Sequence, residues 1–329
     1  MTVSVAIATY NRAGMVREAI QAALEQSRVP DEIVVSDDAS TDGTAAALEE
    51  IAAREPRVRV IRQAVNSGGV GNWNAAVQAT SGELIAWCSD DDRFTREHLQ
   101  ASIEFLEEHP AVGMVHSSFI DAIEIEGADA NAVARIARPL RSIEPMIVRR
   151  VTIVWHMIRY YNWPFHASTI VMRREVWERA GEFDPRYALA DTDWFVRAAA
   201  VTEIAMLPRH GAINRRHAGN WSNRVGSAAM QREIFSIVEK TIAERGALAR
   251  VFWRAIWRAN VRARLTLTLW ARLRSGHGNA ACAAWHGILQ DTGRRAPEWI
   301  ERIGERMISR SCDGREPAFK DARESVSPL

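Results

Sequence analysis

The first 120 residues alternate short apolar strands with amphipathic helices, and this alternation limits the possible folds more than any other feature. Predicted strands are rich in β-branched residues and lie at 3–8, 32–35, 58–61 and 84–88. Helical spacing of apolar residues predicts helices between them, at 12–26, 40–53 and 71–79. Strands that alternate with helices of this length are typical of βαβ units. The predicted fold class is therefore α/β, with a mainly parallel sheet flanked by helices.

Carboxylates directly follow two of the predicted strands. Asp37 and Asp38 end the second strand, and a triplet, 90–92, ends the fourth. Ligands of parallel sheets bind outside the carboxyl ends of the strands, so both groups are expected in one crevice. Crowded carboxylates raise one another's pKa unless a cation separates them. Mg²⁺ and Mn²⁺ prefer oxygen ligands and often share them with substrate phosphate, so the triplet predicts a metal site. The alternative is a solvated acidic loop in which Asp92 caps the next helix.

Two other kinds of phosphate site are excluded. The turn after the first strand, 9–14, contains one glycine instead of the G-x-G-x-x-G of a dinucleotide site. A Walker A lysine is also missing, since the first 225 residues contain no lysine. The crevice is therefore predicted to bind its ligand through carboxylates.

The rest of the chain changes character twice. Residues 121–165 are less regular, a strand is predicted at 168–172, and a helix begins near Asp191. From residue 226 onward the pattern is helical, and the proline-containing, charged last residues indicate a flexible tail. The predicted organisation is a catalytic domain at 1–225 (nucleotide-binding half 1–120, acceptor half 121–225), a helical region at 226–310 and a tail at 311–329.

The charge and composition of the chain limit its possible cellular locations and binding partners. The net charge is +1, but carboxylates exceed basic residues before residue 226 and arginine dominates after it. No apolar run is long enough to span a membrane, and the N-terminus lacks a signal-peptide pattern, so we expect a cytoplasmic protein. The three cysteines fit neither a disulfide framework nor a zinc site. The acidic first domain argues against a nucleic-acid partner.

Four segments in the right order resemble glycosyltransferase family 2, followed by two more near Asp191 and His217. They read VSVAIATYNRAGMVREAIQAALEQ, EIVVSDDASTDGT, NSGGVGNWNAA and GELIAWCSDDD, then GEFDPRYALADTDWFVRAA and INRRHAGNWS. The resemblance covers about residues 1–225. It implies the GT-A fold, with a Rossmann-like nucleotide-binding half, and inverting transfer of a sugar from a nucleotide diphosphate donor, most often UDP. It also implies Mn²⁺ or Mg²⁺, and an acceptor hydroxyl in bacterial polysaccharide, lipopolysaccharide or another glycan, free or lipid-linked.

The resemblance carries roles onto particular residues. Asp38 matches the carboxylate that accepts a hydrogen bond from the base, and Asp90 lies nearer the ribose. The implied nucleotide-binding residues are Thr9, Tyr10, Asn11, Asp38, Asn74, Asp90 and Asp91. The implied metal ligands are Asp92, as the direct ligand, with Asp91 beside it and His217. Asp191 matches the catalytic base, and Asp193 is the runner-up, unless Asp193 lies on the outer face of the helix or caps its first turn.

The sequence departs from the family pattern at three places. Ser89 stands where many relatives have the first Asp of the metal motif, and Ala190 replaces a Glu before the catalytic Asp. Trp73 replaces a basic residue that can contact the nucleotide, so it either stacks on the base or packs the helix on the sheet.

Two further regions are candidate contact surfaces. The aromatic residues Trp155, Trp163 and Phe165, with His166, could form an acceptor wall or pack in the core. The segment 248–275 combines a row of arginines with tryptophans, which suits an anionic membrane surface at the inner face, although such helices more often cover a core.

Two alternative functions stay open. The protein could be a nucleotidyltransferase, or a non-catalytic relative that only binds a nucleotide-sugar.

Overall fold

The computed structural model describes residues 1–124, 133–137, 140, 144–148, 166–217, 219–220, 227–244 and 246–257. The chain divides into two compact units, Met1–Arg254 and Ala255–Leu329. Nearly all described residues belong to the first unit, which runs past the predicted domain end at residue 225. The predicted tail and most of the helical region 226–310 lie outside the described residues.

The N-terminal half is a parallel sheet with helices between its strands. The four strands lie in the order β3-β2-β1-β4, and every neighbouring pair is parallel. The predicted βαβ alternation is therefore confirmed. The elements are β1 (Val3–Thr9), α1 (Ala13–Leu24), β2 (Glu32–Asp37), α2 (Thr44–Arg54), β3 (Val58–Arg62), α3 (Gly68–Gln78) and β4 (Leu84–Ser89).

The second half extends the same sheet with mixed strand directions. From β4 the order continues β9-β6-β10-β5, with β7 beside β6 and β8 beside β10. Strand β9 is antiparallel to its two neighbours, β4 and β6, whereas β6 and β10 are parallel to each other. The strands are β5 (Arg93–Phe94), β6 (Val112–Glu124), β7 (Val133–Ala137), β8 (Met146–Val148), β9 (Val171–Arg173) and β10 (Glu203–Arg216). The helices are α4 (His98–Glu108), α5 (Arg174–Ala180), α6 (Ala190–Val201) and α7 (Ser227–Ala243).

The predicted strand at 168–172 needs a correction. Residues Ala167–Thr169 form a 3₁₀ turn, and the strand β9 begins only at Val171. The N–H and the hydroxyl of Thr169 both donate to the His166 carbonyl at 2.8 Å, and these local hydrogen bonds compete with extension of the strand. The turn also places the Ser168 hydroxyl 2.6 Å from Asp92.

The two faces of the sheet pack differently because β1 alternates large and small residues. Val3, Val5 and Ile7 belong to the aliphatic core under α1, α2 and α4. On the opposite face, Ala6 and Ala8 are small and leave room for indole rings. A buried aromatic cluster fills that space, with ring centroids 4.6–6.5 Å apart. Its members are Trp73, Trp87, Trp177, Phe183 and Trp194. Trp73, which is half-buried, contacts the rings of Trp87 and Phe183 and so packs α3 on the sheet, while its stacking on a base stays a prediction.

A buried histidine is expected to make stability depend on pH. His98 is 1% exposed, and burial lowers its pKa from 6.5 to about 3, with the charge of Arg209 contributing. As the pH falls below 6.5, His98 binds a proton in the unfolded chain but not in the folded chain. The free energy of unfolding therefore keeps its full value above pH 6.5 and decreases as the pH falls towards 3. Between pH 6.5 and pH 4 the loss is about 3 kcal/mol.

Urea unfolding at several pH values measures this effect. We expect His98→Leu to flatten the dependence of unfolding free energy on pH in that window. An unchanged slope in the variant would assign the acid sensitivity to other groups.

The C-terminal part of the first unit is helical where it is described. Helix α7 buries Ile234, Ile237, Val238 and Ile242, and residues 247–254 are also helical. No helix among the described residues is long and apolar enough to cross a membrane.

Candidate active site

The carboxyl ends of β1, β2 and β4 bring the predicted acidic groups to one edge of the sheet. Thr9 pairs with Asp37 across β1 and β2, and Ala8 pairs with Ser89 across β1 and β4. Thr9 links both groups, since its carbonyl accepts from the Asp38 N–H at 3.0 Å and its hydroxyl donates to Asp90 at 2.8 Å.

Two turns with left-handed backbone shape the crevice. Asn11 (φ 53°) follows β1, and Ala39 (φ 59°) follows β2. Asparagine adopts this conformation readily, whereas alanine pays roughly 1 kcal/mol or more for it. The turns are tied together, because the Asn11 N–H donates to the Ser40 hydroxyl and the Asn11 side-chain oxygen accepts from the Thr41 N–H. Asn11, predicted to touch the nucleotide, thus holds the loop that carries Arg12.

Arg12 enters the acidic triplet. Its Nη1 donates to Asp90 at 2.7 Å and to Asp91 at 2.9 Å, and its Nη2 donates to the Gly219 carbonyl at 3.1 Å. Burial raises the pKa of Asp90 to about 6, against the lowering effect of the Arg12 charge. Sequence reasoning missed Arg12, although it is the first basic residue after the first strand.

Three side chains converge on one oxygen of Asp91. Besides Arg12, the His217 Nε2 lies 3.2 Å and the Asn220 Nδ2 3.3 Å from Asp91 Oδ2. His217 and Asp91 were both predicted metal ligands, and the structure brings them together across 126 residues of sequence. Asn220 also accepts from the His217 N–H, which fixes this loop over the acidic triplet.

This pair suits a hard divalent cation. Neighbouring ligands of an octahedral ion bound at about 2.1 Å lie roughly 3 Å apart, close to the Asp91–His217 separation. A carboxylate oxygen suits both Mn²⁺ and Mg²⁺, and a neutral imidazole nitrogen is a reasonable ligand for Mn²⁺. Among the described residues no group of three or more His, Cys, Asp or Glu side chains is arranged to hold a metal ion.

Asp92, the predicted direct ligand, has different neighbours. Its Oδ2 accepts from the Ser168 hydroxyl at 2.6 Å, and its Oδ1 accepts from the Arg215 N–H at 3.2 Å. The His166 Nδ1 lies 3.4 Å from Oδ2. Burial raises the pKa of Asp92, which is 2% exposed. Both oxygens of Asp92 thus accept hydrogen bonds within the fold, whereas the contacts of Asp91 from Arg12, His217 and Asn220 all fall on its Oδ2.

Asp38, which is predicted to contact the nucleotide base, lies at the same edge of the sheet beside α3. Asp38 is buried, and its Oδ1 accepts from the N–H and the hydroxyl of Ser67, both at 2.8 Å. Asn72, in α3, donates to the carbonyls of Thr9 and Ser36 at 3.0 Å and so holds α3 on this edge. Tyr10 is 44% exposed at the rim, where an aromatic ring can contact a base.

Asn74 has a partner elsewhere in the fold. Its amide donates to the Phe183 carbonyl at 3.0 Å and accepts from the Phe183 N–H at 2.9 Å. This reciprocal pair links α3 to the loop before α6. The arrangement gives Asn74 a structural task beside its predicted contact with the nucleotide.

Helix α6 presents the two candidate bases in different environments. Asp191, in the first turn, accepts from the Thr192 N–H at 2.7 Å, and burial raises the pKa of its carboxyl. Asp193 is 2% exposed and pairs with Arg197 at 2.8 Å and Lys240 at 3.0 Å. With both oxygens bound to cations, Asp193 is poorly placed to accept a proton.

Of the predicted acceptor wall, only His166 is described. Trp155, Trp163 and Phe165 lie outside the described residues. The His166 ring lies 5.0 Å from Phe119, and its charge would lower the pKa of both Asp92 and Asp191. It therefore stands near both the acidic triplet and the candidate base.

Curated relatives match most of the described part of the chain. An uncharacterized protein of Mycobacterium tuberculosis is 29% identical over 225 residues, 66% of this chain and 60% of that protein. This chain thus spans less than two thirds of that relative. An uncharacterized glycosyltransferase of Nostoc sp. is 28% identical over 71% of this chain and 70% of its own length. The putative teichuronic acid biosynthesis glycosyltransferase TuaG of Bacillus subtilis is 30% identical over 32% of this chain and 42% of its own.

Solved structures share the fold. S. aureus TarS 1–349 in complex with UDP-GlcNAc has a TM-score of 0.60 at 20% identity, over 79% of this chain and 72% of that one. The mannosyltransferase PcManGT from Pyrobaculum calidifontis, in complex with GDP-Man and Mn²⁺, has a TM-score of 0.50 at 18% identity, over 88% and 87%. These neighbours confirm the predicted GT-A architecture. The model of the family described as Glycosyl transferase family 2 matches residues 4–171, just over half of the sequence, and the chain therefore belongs to glycosyltransferase family 2.

Proposed function

We propose that this glycosyltransferase moves a sugar from a nucleotide diphosphate donor, best a UDP-sugar, to a hydroxyl of a glycan or lipid-linked glycan, with inversion. The observation that carries the proposal is the convergence of His217, Arg12 and Asn220 on Asp91 Oδ2 at the carboxyl edge of the sheet. The structural neighbours in complex with UDP, UDP-GlcNAc and GDP-Man support a nucleotide-sugar donor.

The crevice has groups for each part of the donor. Asp38 would accept a hydrogen bond from the base beside Tyr10, and Thr9 with Asp90 would border the ribose. Asp91 and His217 would hold Mn²⁺ or Mg²⁺, with Asp92 adjoining. When bound, the ion supplies positive charge to the departing diphosphate. Arg12 adds a fixed positive charge at the same place, which partly offsets the effect of burial that raises the pKa of Asp90.

Asp191 would take the proton from the acceptor hydroxyl as it attacks the anomeric carbon from the face opposite the leaving group. A single displacement of this kind inverts the anomeric centre. Free aspartate has a pKa near 3.9 and is a weak base at pH 7. Burial raises the pKa of Asp191 and so improves it as a base. Proximity to the hydroxyl supplies the rest of the help.

The acceptor and the membrane contact stay predictions. TuaG and the succinoglycan biosynthesis protein ExoO, 35% identical over 38% of this chain, have names from polysaccharide synthesis. Within the described part of the segment 248–275, Leu248, Val251 and Phe252 are exposed on one helix. Arg250 is exposed beside them. An apolar face with adjacent arginine suits an anionic lipid surface, which co-sedimentation with anionic vesicles would test.

A thermal-shift panel tests the donor. We expect UDP and UDP-sugars to raise the melting temperature in the presence of Mn²⁺, because a ligand at a hundredfold its Kd stabilises the native state by about 2.7 kcal/mol. Mn²⁺ alone and adenine nucleotides serve as controls. If no nucleoside diphosphate or nucleotide-sugar shifts the melting temperature, with or without metal, the proposal is wrong.

A further inference from the structure

Helix α7 reaches the loop that carries the candidate base. The two carboxylate oxygens of Glu233 accept from two successive backbone groups, the Ala188 N–H at 2.9 Å and the Leu189 N–H at 2.7 Å. Helix α6 begins at the next residue, and Asp191 is its second residue. A side chain 44 residues away in sequence therefore holds the entry to α6.

This contact takes over a task that is usually local. The first N–H groups of a helix, counted from the N-cap residue, have no intrahelical partner, and the N–H of the N-cap residue is often bound by a Glu or Gln side chain three residues later. Here the N-cap residue is Leu189, which makes no side-chain capping bond. The Glu233 carboxylate binds the N–H groups just before the helix, and its negative charge also suits the positive end of the helix dipole.

A second contact joins the same two helices farther along. Lys240 donates to Asp193 at 3.0 Å, and the Lys240 ammonium lies 5.5 Å from the centre of the Tyr187 ring. Ile237 and Val238 are buried on α7 between the two polar contacts. The interface thus has one contact at the loop before Asp191 and another on the helix after it.

The geometry points to Glu233 as a positioning residue for Asp191: by fixing the peptides of Ala188 and Leu189, it sets where the base meets the acceptor hydroxyl. Helix α7, which lies beyond the residues matched by the family model, is then part of the catalytic unit. The inference rests on the proposed role of Asp191. It gives Glu233 no contact with the substrate.

Steady-state kinetics of Glu233→Gln and Glu233→Ala test the inference, with Lys240→Met as the matched control on the same interface. Displacing a catalytic group by about 1 Å can cost on the order of a hundredfold in rate. We expect kcat to fall at least tenfold in Glu233→Ala and less in Glu233→Gln, which keeps one acceptor oxygen. The KM for the donor should stay within twofold. Lys240→Met should lower the melting temperature and keep kcat within twofold.

Two outcomes would overturn the inference. One is full kcat in a folded Glu233→Ala enzyme. The other is loss of kcat in Lys240→Met and the Glu233 variants in proportion to their melting temperatures, which would assign Glu233 a purely structural role. Asp191→Asn separates these results from failure of the proposed function, because full turnover in that variant removes the base itself.

Discussion

Asp191→Asn is expected to lose nearly all sugar transfer while it still binds the nucleotide. The substitution keeps the size of the side chain and its hydrogen bond from the Thr192 N–H, but it removes the only basic oxygen pair in the first turn of α6 that is not bound to cations. General base catalysis contributes roughly 10²- to 10⁴-fold, so kcat should fall by that factor. An assay of sugar transfer to a competent acceptor checks the loss of turnover. Calorimetry with the donor checks that the nucleotide still binds.

Asp193→Asn is the matched control for this prediction. Asp193 lies two residues away and is paired with Arg197 and Lys240, so its removal should destabilise the protein by about 1–3 kcal/mol. Its kcat should stay within severalfold of the wild type at a temperature where the variant is folded. If instead Asp193→Asn loses turnover and Asp191→Asn keeps it, the base has been assigned to the wrong residue.

The parallel half of the fold could be predicted because its signals are local. Strands β1, β2 and β4 are short, mainly apolar runs, and β3 is rich in β-branched residues. The helices between them repeat their apolar residues at helical spacing. The long strands β6 and β10 carry no such signal. Strand β10 contains Pro208 and Gly211 and has three register shifts against β6, so only pairing with distant residues makes it a strand.

The candidate site divides in the same way. The acidic groups at the strand ends could be predicted as a site from the sequence, because a run of carboxylates after a buried strand has few structural uses. The residues that donate hydrogen bonds to these carboxylates could not be predicted, because they are distant in sequence. Ser168 reaches Asp92 across 76 residues, and Arg12 reaches Asp91 across 79. Glu233 lies in the segment after residue 226, whose pattern predicted only that it is helical.

Asp91→Asn should remove metal-dependent transfer. Asparagine keeps an oxygen that can accept from Asn220 and His217, and Arg12 keeps its bond to Asp90, so we expect the fold to survive. The variant loses the negative charge that would attract the cation. We expect at least a hundredfold lower transfer, about 2.7 kcal/mol of transition-state stabilisation, and no effect of Mn²⁺ on UDP affinity. Chelation should abolish transfer by the wild type, and Mn²⁺ or Mg²⁺ should restore it.

Asp92→Asn decides between the two carboxylates. If Asp91 is the inner ligand, Asp92→Asn should retain metal-dependent UDP binding, and its main loss should be stability, since the Ser168 hydroxyl and the Arg215 N–H would lose a charged acceptor. If Asp92 is the direct ligand, as the family pattern implies, the two variants exchange these properties. Full transfer by a metal-free preparation of the wild type would contradict both assignments, and Arg12 would then be the principal positive charge beside the departing diphosphate.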